Sequence, residues 1–127
     1  MASLFGFRTR SPDRDRDTDR ERHMRLDGVM QEIALQMLAE RTGLERRYRE
    51  SSANAGFLVD AMDNDEAASG SSARLDAMTD DLINCERRLA ALSRQMALME
   101  DLRRQAQDLV EEDRQAPPAK RKAKGAV

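Results

Sequence analysis

Cys85 and His23 are the only cysteine and the only histidine among 127 residues, so nucleophilic, redox or zinc chemistry would have to be built around them. A zinc site needs four ligands and a nucleophilic triad needs three converging side chains. His23 stands among charges outside any apolar periodicity, and it is expected at the exposed surface. Cys85 falls on an apolar seam, where a thiol acts as a small apolar side chain. A single cysteine excludes an intramolecular disulfide framework and suits a reducing compartment.

The acidic run Asp60, Asp63, Asn64, Asp65 and Glu66 suggests a calcium loop, but the pattern fails. With Asp63 as first ligand, Asp65 fits the third position. Ala67 and Ala68 then replace the fifth ligand and the required glycine, and Arg74 stands where the closing glutamate belongs. There is no glycine-rich phosphate loop and no nucleophile elbow. An enzyme also needs a concave, water-excluding pocket, which slender helices do not offer. The expectation is a protein that is not an enzyme, with no cofactor, no metal and no small-molecule substrate.

Binding chemistry is more visible at the two ends. All three lysines, Lys120, Lys122 and Lys124, join Arg121 in the C-terminal tail, a candidate anion-binding patch for nucleic acid or an anionic membrane. Without interleaved aromatics its contacts would be weak and salt-sensitive. Leu4, Phe5 and Phe7 form an aromatic tip that could insert into a partner groove as a short linear motif.

The elements that must carry these groups are helices. The chain is 39% apolar and 36% charged, with three Phe, one Tyr, no Trp and a mean hydropathy of −0.79. That composition suits long helices and leaves little material for a sandwich or an α/β core. No run approaches the ~20 apolar residues of a membrane span, and a cytoplasmic location is expected, or a nuclear one in a eukaryote. The net charge of −2 is uneven: residues 1–25 carry +2, 26–115 carry −8 and 116–127 carry +4.

Residues 8–25 alternate arginine with acids and lack apolar periodicity, so the segment 1–23 is expected to be disordered or frayed. Ser11, Pro12 and Asp13 nevertheless form a reasonable helix start. From Met24, the positions Leu26, Met30, Ile33, Met37 and Leu44 mark one helical face over 24–67, with a kink expected at 51–56, where weak helix formers gather. Residues 68–72 read as a loop, with Gly70 as the helix stop and Ser71 or Ser72 as the next cap. In the helix expected over 73–115, Leu75, Met78, Leu82, Cys85, Leu89, Leu92, Met96 and Met99 alternate three and four apart, a coiled-coil seam that Arg103 interrupts before Ala106 and Val110. Pro117 and Pro118 end it, and residues 116–127 read as a basic disordered tail.

Two segments of about 43 residues, each ~65 Å long, predict an all-α fold: a long antiparallel helical hairpin of coiled-coil type, assembled into a multi-helix bundle, with disordered termini. Folding about Gly70 would set Leu44 opposite Met96 and Met62 opposite Met78. The apolar stripe widens at Val29 and Leu38 in the first helix, and at Leu98, Leu102 and Leu109 in the second. A two-helix contact needs only the narrow seam, and a wider face packs against further helices. The expected protein-binding residues are therefore Val29, Met30, Ile33, Met37, Leu38, Met96, Leu98, Met99, Leu102, Leu109 and Val110. The expected function is that of a coiled-coil assembly or adaptor protein docking onto itself or another helical protein. The alternative is a tether held on nucleic acid or membrane by its basic tail and aromatic tip.

Overall fold

The computed structural model describes residues 11–116. Two helices joined by a short turn make an all-α hairpin: α1 spans Pro12–Asp63 and α2 spans Ser71–Gln115. Leu4, Phe5 and Phe7, and likewise Lys120, Arg121, Lys122 and Lys124, lie outside the described residues.

Helix α1 begins at Pro12 rather than near Met24, so 12–23 is regular helix where a disordered or frayed segment is expected. The Arg14 N–H donates to Ser11 Oγ at 3.4 Å, and the Asp15 N–H donates to the Ser11 carbonyl at 3.1 Å. Pro12 supplies a preset φ, and Asp13 and Asp15 complement the positive end of the helix dipole. Arg20 pairs with Asp17 at 3.5 Å and Arg22 approaches Asp19 at 3.9 Å. The cap and these pairs at spacing three outweigh the like-charge neighbours at spacing four. The stretch 51–56 also lies within uninterrupted helix. Ser51, Ala55 and Leu58 are half-buried there, so packing carries the helix through residues of poor propensity.

The turn is built differently from the expected Gly70 stop. The Glu66 N–H donates to the Ala61 carbonyl at 2.8 Å and the Asp65 N–H to that of Met62 at 3.2 Å, with Asp65 left-handed at φ 54°. This is the paired bonding of a Schellman cap, and it ends α1 at Asp63, short of residue 67. Gly70, at φ 84°, instead starts α2, because its carbonyl accepts from the Arg74 N–H at 3.1 Å. Ser71 is buried and its hydroxyl donates to the Ala68 carbonyl at 2.6 Å, so it anchors the turn rather than capping free N–H groups of α2.

The residues group into two units. The turn unit is Ile33–Leu98; the terminal unit is Met1–Glu32 with Met99–Val127. In the turn unit Leu92 is fully buried and Cys85 nearly so, which places the lone thiol in the core. In the terminal unit Met30 is the buried apolar side chain among the described residues. The register of the turn unit also differs from a fold about Gly70, which would set Tyr48 opposite Leu92. Tyr48 bonds Glu86 instead, because the connection between Asp63 and Ser71 is centred on Ala67 and draws the pairs towards the turn.

Candidate helix-docking surface

In the turn unit, polar groups at the edges of the seam lock α1 to α2. Arg88 grips Glu40 with two prongs, Nη2 to Oε1 at 3.0 Å and Nε to the other oxygen. Arg47 Nη2 donates to Asp81 Oδ1 at 2.9 Å, and the Tyr48 hydroxyl donates to Glu86 Oε1 at 2.7 Å. Hydrogen bonding from Arg88, with its charge adding, holds the Glu40 carboxyl below its ordinary value, and the same contact pushes Arg88 up. The hydrogen bond to Glu86 and the carboxylate charge raise the Tyr48 phenol. Arg41 lies on the seam between Met37 and Leu44; its Nη1 reaches Met96 Sδ at 3.9 Å and its Nε lies 3.5 Å from Glu45.

In the terminal unit, Arg103 Nε lies 3.3 Å from Asp27 Oδ1, which explains how an arginine can interrupt the seam. His23 is half-buried rather than exposed, with Nε2 3.9 Å from Asp113 Oδ2. Both contacts border a groove of about 790 Å³ whose apolar lining includes Met24, Gly28, Ala106 and Val110. Arg16, Asp19, Arg20, Glu111 and Arg114 add charges of both signs along it.

The structure divides the sequence candidates by exposure. Met30 is buried, at 7%, and is core rather than docking surface, a correction to its expected role. Met99 and Val110 in the terminal unit, and Ile33, Met37 and Met96 in the turn unit, are half-buried. Val29, Leu102 and Leu109 are exposed in the terminal unit, as are Leu38 and Leu98 in the turn unit. Sequence reasoning passed over Met24, exposed at 67% beside the groove, and Leu35, exposed in the turn unit.

Among the described residues no cluster of three His, Cys, Asp or Glu side chains is arranged to hold a metal ion. No helix among them is long and apolar enough to cross a membrane. The chain matches no protein-family model and shows no significant similarity to a curated protein or to a solved structure. The class the fold and surface define is a packed two-helix hairpin suited to helix–helix contact.

Proposed function

We propose that this is a non-catalytic assembly or adaptor protein that works by docking its hairpin, coiled-coil fashion, onto a copy of itself or another helical protein. The observation that carries the reading is the row of apolar side chains left open beside the seam. In the terminal unit Leu102 is 43% and Leu109 49% exposed, although each lies next to a half-buried seam position. Single exposed leucines are ordinary on a protein surface. A series at helical spacing along one side of one helix is what a further helix covers.

The test is photo-crosslinking of the full chain, with the reactive group at position 102 or at position 122. Docking predicts adducts from position 102 that persist in several hundred millimolar salt, since apolar contacts are not screened. Adducts from position 122 alone, lost as salt rises, would favour the tether and sink the docking reading.

A further inference from the structure

We infer that the terminal unit binds a second copy of this chain through the face carrying Leu26 and Val29 on α1 and Leu102 and Leu109 on α2, about a two-fold axis parallel to the helices. The inference rests on the docking reading and names its partner.

The face follows from one contact. Asp27 and Arg103 meet across the seam of two antiparallel helices. The dyad that relates such helices stands normal to the plane through them, so the residues preceding a matched pair fall on the same side of that plane. Here those residues are Leu26 and Leu102. Val29, three after Leu26, and Leu109, seven after Leu102, continue the two rows. All four are between 43% and 53% exposed. Gly28, which follows Asp27, lines the groove, so the groove and Met24 open on the opposite side.

The width of the partner follows from direction. At 3.6 residues per turn the centre of each open row lies about a right angle round its helix from the seam. A right angle is the corner of a four-helix square, whereas a single third helix sits at the sharper corner of a triangle. The face therefore suits a partner two helices wide, packed as an up-down-up-down bundle.

Level and charge then select a second copy. His23 meets Asp113 and Asp27 meets Arg103, so Arg25, midway between the first two, is level with Asp108, midway between the others. A two-fold axis along the helices keeps that level and sets each α1 antiparallel to the other copy's α2. Leu26 then falls between Gln105 and Leu109 of the second copy, and Val29 between its Leu102 and Gln105, so the rows interlock. Arg22, one turn before Leu26, meets Glu112, three after Leu109, and Arg25 meets Asp108 on the rim. Within one chain Arg25, Asp108 and Glu112 enter no ion pair with another described residue, and Arg22 approaches only Asp19, at 3.9 Å. Asp101, which would otherwise confront Glu32, is already paired with Arg104 at 3.1 Å. A two-fold axis across the helices would set α1 on α1 and α2 on α2, keeping these arginines from these acids. Because the contact is isologous, every pair forms twice.

Sedimentation equilibrium of the full chain tests this. The expected mass is twice the 14.4 kDa of one chain. Leu26→Asp should return a single-chain mass, while Met24→Asp, more exposed but on the groove side, should leave it doubled. Arg22→Glu should raise the dissociation constant about tenfold, the pair being lost twice. Adding Glu112→Arg should restore it, a rescue that a merely misfolded variant could not give. A single-chain mass for the wild type at every concentration overturns the second copy, and a doubled mass indifferent to Leu26→Asp overturns the face. Where the wild type is a single chain, an adduct of position 102 with a different protein leaves the docking reading standing without the second copy; no adduct at all ends both.

Discussion

The Tyr48 hydroxyl donates to the Glu86 carboxylate at 2.7 Å, tying α1 to α2 within the turn unit and raising the phenol above its ordinary pKa of 10.0. Because the folded value is raised, the contribution to stability is complete below pH 10.0 and is lost as pH climbs through the raised value. Tyr48 is the sole tyrosine and the chain has no tryptophan, so ultraviolet titration reports this group alone. The expected midpoint lies above 10.0 and moves down in Glu86→Gln. An unchanged midpoint in that variant would show that the bond is not held in solution.

The Glu40 and Arg88 pair gives the acid limb. The folded carboxyl is depressed, so its contribution is full above the ordinary value of 4.5 and disappears as pH falls from there through the depressed value. Thermal melts from pH 7 to pH 3 should show a stability loss that is smaller in Glu40→Gln. Equal losses in the two proteins would remove the pair from the account.

Core and surface should separate sharply by substitution. Leu92 is fully buried, and Leu92→Ala should cost about 2–5 kcal/mol in urea unfolding through lost transfer energy and a cavity. Phe57 is larger but 72% exposed in the same unit, and Phe57→Ala should stay within about 0.5 kcal/mol. Comparable costs would mean that Phe57 is covered in solution.

Three substitutions test the backbone geometry with opposite signs. Asp65→Gly relieves a left-handed residue at φ 54° and should stabilise by about 0.5–1 kcal/mol. Gly70→Ala forces an L side chain to φ 84° and should destabilise by about 1 kcal/mol, although nothing crowds the new Cβ. Gly28→Ala, inside α1 with open space around it, should stabilise by about 0.5–1 kcal/mol. Chemical denaturation of the three variants reads all the signs at once.

Much of this fold is legible in the spacing of apolar residues. Leu92 and Cys85 fall on the three-and-four seam and are buried as it requires. The Ser11 cap is also visible, but mixed-charge composition pulls the reading towards disorder, and only the cross-helix contact of His23 with Asp113 shows what holds that segment beside α2. The turn is not legible, because the left-handed position falls to Asp65 while a glycine stands five residues on as the obvious candidate. Ending α1 early moves the register, and with it every polar partner: nothing in the sequence alone tells Glu40 to choose Arg88. A widened stripe reveals a second face without saying which members lie inside, so Met30 reads as docking surface and is core, while Met24 is passed over and lies open.

Hydroxyl-radical footprinting across a dilution series, with and without a helical partner, tests the central claim most directly, because Leu102 is 43% and Leu109 49% exposed in one chain while Leu92 is fully buried. If another helix covers that side of α2, labelling of Leu102 and Leu109 should fall towards that of Leu92 as concentration rises or the partner is added. Fast labelling of both leucines under every condition would contradict it.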